Sequence, residues 1–182
     1  SASQARVLRV PEDYGVIQWA INEAGAGDGI RVGPGRYVEQ LVVRESVRIE
    51  GVGADRVHVL WPGQKGSVLR LEGCRAARVS GVTFEHTGEA QDKTGYDAIE
   101  IEGGSVEFRG CVARRAHANG VRIAGGARVV MSDTVCEENR RSGTRVSEEG
   151  SFAKIVGGAC ANNGESGIFA VSRGAVEALA VR

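Results

Sequence analysis

The chain is poor in proline, with 3 residues, and in aromatic side chains, at 5% of its 182 positions. So little proline excludes a collagen-like chain or a Pro/Gly linker. No apolar run reaches about 18 residues, so no segment reads as a membrane-spanning helix. Neither sign of charge is in excess, because Lys+Arg (23) equals Asp+Glu (23). That balance argues against a generic binder of nucleic acid or of anionic membranes. Lysine is scarce: 20 of the 23 basic residues are arginine, which supplies planar, forked donors. The four cysteines (Cys74, Cys111, Cys136, Cys160) form no CxxC pair and have no histidine nearby. No zinc site, other metal or cofactor is therefore expected. What the chain has in quantity is glycine, 27 residues, roughly twice average usage. Much glycine with little proline suggests short strands joined by tight turns.

Self-similarity is the strongest feature. Rows beginning at Ala98, Gly120, Gly143 and Gly167 repeat with a step of 22 to 24 residues. Each full row has a short alternating strand, a glycine or acidic turn, a second alternating strand and a polar turn containing Asn. Such a period fits one coil of a parallel β-helix, in which like positions stack ~4.8 Å apart. The alignment predicts four inward files. They are Leu69–Ile99–Val121–Thr144–Ile168, Leu71–Ile101–Ile123–Val146, Phe108–Met131–Ile155 and Ala113–Cys136–Cys160. On this reading the cysteines are small core fillers. The functional alternative is a redox pair of Cys136 and Cys160, which neighbouring coils bring close. Asn139 and Asn163 should stack at a repeated turn, with amides bonding along the column. Asn119 reads as a separate turn residue.

Before the repeats, residues 13–24 carry apolar groups at Tyr14, Ile17, Ala20, Ile21 and Ala24. This is helical spacing, with Asp13 as N-cap and Gly25 just past the end. A short amphipathic helix would cover the first coil's apolar cross-section. The opening Ser1-Ala2-Ser3 reads as a cloning remnant. Residues 1–29 are taken as an N-terminal strand and capping helix, and 30–182 as coils of one domain excised from a longer protein.

Three phrases carry a resemblance: Ile17-Gln18-Trp19-Ala20-Ile21, Gly27-Asp28-Gly29-Ile30 and Pro34-Gly35-Arg36-Tyr37-Val38-Glu39. Together they resemble the opening of the pectin-lyase-like right-handed parallel β-helix superfamily. That group includes pectinesterases, NosD-type proteins and carbohydrate-binding and sugar-hydrolase domains. With the later coils the resemblance covers nearly the whole chain. It implies an all-β, single-stranded right-handed parallel β-helix of about seven coils behind a capping α-helix.

The family's chemistry does not follow from the fold. Gly81-Val82-Thr83-Phe84-Glu85-His86-Thr87-Gly88 resembles a pectinesterase strand, but Gln91-Asp92 continues as Lys93-Thr94-Gly95 and the other catalytic phrases are absent. Pectate-lyase aspartate clusters, the polygalacturonase Gly-His-Gly phrase and the epimerase Asp-Pro-His-Glu phrase are absent too. No catalytic residue is assigned. The histidines His58, His86 and His117 fall in no common file and read as solvated surface residues.

The exterior offers a binding face instead. Arg70, Glu100, Arg122 and Arg145 lie in one outward file that continues to Phe169, with Tyr96 and Asp97 beside it at the end of a long turn. One reading is a solvated salt ladder of little weight. The other is a flat arginine face for acidic sugars or carboxylate-bearing peptides. The preferred function is a non-catalytic binding or scaffold module for a protein partner or an acidic polysaccharide. The alternatives are a carbohydrate-active enzyme of the polyuronate lyase, esterase or epimerase type, with Tyr96, Asp97, Arg122 and Arg145 at its cleft, and a structural spacer. The last row has no visible cap, so end-to-end self-association is a further expectation. The cytoplasm is the favoured compartment, on the unpaired cysteines.

Overall fold

The computed structural model describes residues 4–90 and 95–182. Ser1–Ser3 and the Gln91-Asp92 pair, both read above, lie outside the described residues. Every ladder is parallel, and the chain winds as a solenoid of about seven turns. Sheet A has eight strands: Val7–Val10, Gly29–Val32, Arg48–Gly51, Ala77–Ser80, Ser105–Arg109, Arg128–Ser132, Phe152–Val156 and Ala175–Leu179. Sheet B has six: Gly35–Val38, Val57–Trp61, Thr83–His86, Val112–Arg114, Val135–Glu137 and Ala159–Ala161. Sheet C also has six: Leu41–Val43, Leu69–Glu72, Ile99–Glu102, Val121–Ala124, Thr144–Ser147 and Ile168–Val171. Among the described residues no helix is long and apolar enough to cross a membrane.

The registers follow the repeat. Leu69, Ile99, Val121, Thr144 and Ile168 pair in one column, and Leu71, Ile101, Ile123 and Val146 in the next. Phe108–Met131–Ile155 and Ala113–Cys136–Cys160 stack as well. Alternation in each short strand sends one set of side chains into the tube and the other to solvent. The inward set forms one continuous apolar core, which includes Cys74, Cys111 and Cys136.

Two amide columns hold the turn between sheets B and C. Asn139 donates through Nδ2 to Asn163 Oδ1 at 3.0 Å and to the Ala113 carbonyl at 3.2 Å, and its Oδ1 accepts from the Ala116 N–H at 3.0 Å. A second column runs beside it. Asn119 stands in that column, separate from Asn139: its N–H and Nδ2 donate to Asp97, and its Oδ1 accepts from the Ser142 N–H. Asn139→Ala is expected to leave the buried Ala116 N–H and Ala113 carbonyl without these partners. The expected loss is about 2–3 kcal/mol in urea unfolding followed by circular dichroism.

The capping helix, α1 (Ile17–Glu23), covers the first coil with Ile17, Ala20 and Ile21. Its start corrects the sequence expectation. Asp13 does not cap it but accepts from the Arg9 N–H, and Val16 stands at the N-cap without a side-chain bond. The cap comes from the next coil. The Glu39 carboxylate accepts from the Ile17 and Gln18 N–H groups at 2.9 and 3.0 Å. Glu39 closes the Pro-Gly-Arg-Tyr-Val-Glu phrase, so that phrase clasps the helix onto the coil. Asp28 ties down the first strand in a similar way. It accepts from the Arg6 and Gly25 N–H groups and the Arg6 guanidinium, which hold its carboxyl down at about 2.

Candidate functional site

The outward file of sheet C is in the expected register, Arg70–Glu100–Arg122–Arg145–Phe169. Most of its charge is used internally. Arg70 meets Glu72 at 2.8 Å, and Arg122 meets Glu100, Glu102 and Glu148 at 3.1, 3.4 and 3.8 Å. Glu100 also accepts from the Ser67 hydroxyl. Arg145 instead lies over the Phe169 ring, 5.9 Å from its centroid.

Asp97 departs from the proposed face. It is buried, and its Oδ1 takes both Asn119 bonds. Burial pushes its carboxyl pKa up against those two bonds. Asp97 stands directly before its row as Asn119 and Ser142 stand before theirs, so the spacing carried a signal for this buried column that the reading of Asp97 as an exposed residue missed. Tyr96 is half-buried, and its carbonyl accepts from the Ala118 N–H.

The histidines correct the sequence reading more sharply. His86 and His117 are buried rather than solvated, and their rings stack at 4.2 Å between centroids. His86 Nε2 is 2.9 Å from the Gly66 carbonyl, and His117 Nε2 is 2.7 Å from the Gly88 carbonyl. A carbonyl only accepts, so each Nε2 carries the proton. Each Nδ1 is then bare, buried and unpartnered. Burial is the main cause that drives the His86 pKa down to about 4, helped by the neighbouring His117. Beside the pair, the buried Glu85 carboxylate is clamped by Arg114 and Arg115, both at 2.8 Å. His58 is half-buried, with Nε2 near the Asp55 carbonyl.

The sequence reading missed the outer surface of sheet A. Its strands stack Arg48–Arg78–Glu107–Val130–Lys154 in one file and Glu50–Ser80–Arg109–Ser132 in another. Shallow depressions follow these files across the coils, one of them of about 250 Å³ between Arg75 and Lys154. Their carboxylates are engaged: Glu107 meets Arg78 at 3.2 Å and Glu50 meets Arg31 at 3.9 Å. Several guanidiniums are not. Among the described residues Arg48, Arg75, Arg109 and Arg128 have no ion-pair partner. Arg128 stacks on Phe152, 5.2 Å from the ring centroid. The signal was present, since Ser105–Arg109 and Arg128–Ser132 alternate as plainly as the sheet C strands. Among the described residues no group of three or more His, Cys, Asp or Glu is arranged to hold a metal.

Three parallel sheets wound into one solenoid define a β-helix. Residues 45–178 match the model of the right handed beta helix region, and the chain belongs to that family. Pectin methylesterases are among the solved structures that share the fold. Pectin methylesterase PemA from Erwinia chrysanthemi is 11% identical, with a TM-score of 0.52, over 87% of this chain and 56% of that one. A pectin methylesterase mutant in complex with a hexasaccharide is 11% identical with a TM-score of 0.50, over the same 87% and 56%. The chain thus spans little more than half the length of these enzymes. Comparison with curated proteins gives no match.

Proposed function

We propose that this β-helix is a non-catalytic binding module whose sheet A groove takes an extended acidic glycan. The observation that carries the reading is the set of guanidiniums along the groove, Arg48, Arg75, Arg109 and Arg128, that no carboxylate of the described residues engages. Unpaired guanidiniums bind carboxylates in a forked, charge-assisted way. Groups repeated at ~4.8 Å steps along a solenoid suit a chain of repeating acidic units. Phe152 under Arg128 adds an apolar surface beside the charge. The groove carboxylates Glu50 and Glu107 are held by arginine, which favours binding over acid–base chemistry. The fold relative that holds a hexasaccharide supports a glycan as the ligand class.

The test is a binding and turnover screen on polyuronates and neutral polysaccharides. Arg109→Ala/Arg128→Ala is expected to weaken polyuronate binding at least about tenfold, roughly 1.4 kcal/mol. Added salt should weaken the parent protein's binding in the same direction. Arg122→Ala/Arg145→Ala tests the sheet C file, and a larger loss there would move the site to that face. Equal binding of neutral chains would sink the acidic-glycan reading. Cleaved or de-esterified product would replace the binding module by the enzyme.

A further inference from the structure

We infer that Cys136 and Cys160 form a modification site, a dithiol that a hydroperoxide oxidises to a disulfide joining the strands Val135–Glu137 and Ala159–Ala161. The proposal is independent of the groove and of any ligand it holds.

Register supplies the geometry. Cys136 and Cys160 are directly paired across the parallel ladder of sheet B. Paired residues there are ~4.8 Å apart between Cα atoms, within the span a disulfide bridges. Both thiols are free. Gly158 sets this approach. It has φ +73°, and a Cβ there would run into the Thr134 carbonyl, so only glycine leads the chain closely onto the preceding coil.

The two sulfurs are unequal. Cys136 is fully buried, with Sγ 3.6 Å from the Thr144 hydroxyl, whereas Cys160 is partly exposed. The neighbouring sulfur raises the Cys136 pKa, with burial adding to it, and lowers that of Cys160. Cys160 is therefore the attacking sulfur and Cys136 the resolving one. Its partial exposure suits a small oxidant better than a bulky disulfide.

The chemistry balances in two steps. The Cys160 thiolate attacks one peroxide oxygen. An S–O bond forms, the O–O bond breaks, and the departing oxygen takes up the proton Cys160 released. Cys160 is now a sulfenic acid and the peroxide is reduced. Cys136 then gives up its proton and attacks the Cys160 sulfur. An S–S bond forms, the S–O bond breaks, and hydroxide leaves with that proton as water. Two thiols and one hydroperoxide become one disulfide, one alcohol (or water) and one water.

The other cysteines are an internal control. Cys74 and Cys111 are buried, and their thiols face the Val43 and Val79 carbonyls. Burial raises both, Cys111 to about 11. Cys111 is followed in the next coil by Thr134 rather than by a cysteine.

The experiment treats the folded 182-residue chain with hydrogen peroxide and counts thiols after denaturation, with peptide mapping by mass spectrometry. Thiols should fall from the four present to two, with loss of two hydrogens and a crosslinked peptide joining Cys136 to Cys160. Cys136→Ser should stop at a sulfenic acid on Cys160 that dimedone traps. Cys160→Ser should keep its remaining thiols over the same period. The crosslink map of the parent protein needs no variant to fold. Oxidation of Cys74 or Cys111 at the same rate, disulfides only between molecules, or no thiol loss would each overturn the proposal.

Discussion

Phe108→Ala is expected to lower the unfolding free energy by about 3–5 kcal/mol. The ring is 1% exposed and stands in the inward column Val79–Phe108–Met131–Ile155. Its neighbours above and below are fixed by backbone ladders on both sides. A coil cannot sink into the hole without breaking its own register, so the cavity stays open. Phe108→Leu retains most of the volume and should lose only about 1–1.5 kcal/mol. Urea unfolding at matched slopes, read by circular dichroism, measures both. A loss below about 1 kcal/mol for the alanine variant would mean that the tube relaxes around the deletion.

Acid should destabilise the protein through the stacked histidines. His86 is held at about 4 in the folded chain, against an ordinary 6.5. The unfolded chain therefore binds its proton first. The stabilisation is complete above pH 6.5, and it is lost as pH falls through the folded value near 4. The difference amounts to on the order of 3 kcal/mol. Protonation would place a charge on a buried Nδ1 that has no acceptor and lies beside a second imidazole. Asp97 works in the opposite sense, because burial raises its pKa in the fold. Comparison with His86→Leu isolates the histidine. The gap in urea stability between parent and variant should shift by that amount between about pH 7 and pH 4. A gap that ignores pH would remove the histidine pair as the cause.

The repeat made the architecture legible because each strand has only two faces and each coil lies on the last. Once Val121 aligned with Ile99, the files that include Cys136 and Arg122 followed. Local exceptions were hidden for particular reasons. Glu39 caps α1 from another coil, so no local capping pattern announces it. His86 and His117 fall in no common file of the repeat, because the turn after His86 is longer than those of the later rows, so spacing did not bring the two rings together. The groove on sheet A required the outward residues of a second strand to be assembled, as those of sheet C were. The Cys136–Cys160 neighbourhood was visible from spacing. The difference between the two sulfurs was not, because it depends on Thr144 and on how deeply each coil is covered.

Every backbone ladder joins strands from adjacent coils, with partners such as Ile99 and Val121 or Val121 and Thr144 about one lap apart. Under mechanical load such a chain should give way in instalments. Pulled from the Arg182 end, it should release one lap of about 23 residues at a time, each lengthening the tether by roughly 70–80 Å. A bond between Cys136 and Cys160 would close off the lap between them, next after the terminal one, and erase one step of that staircase.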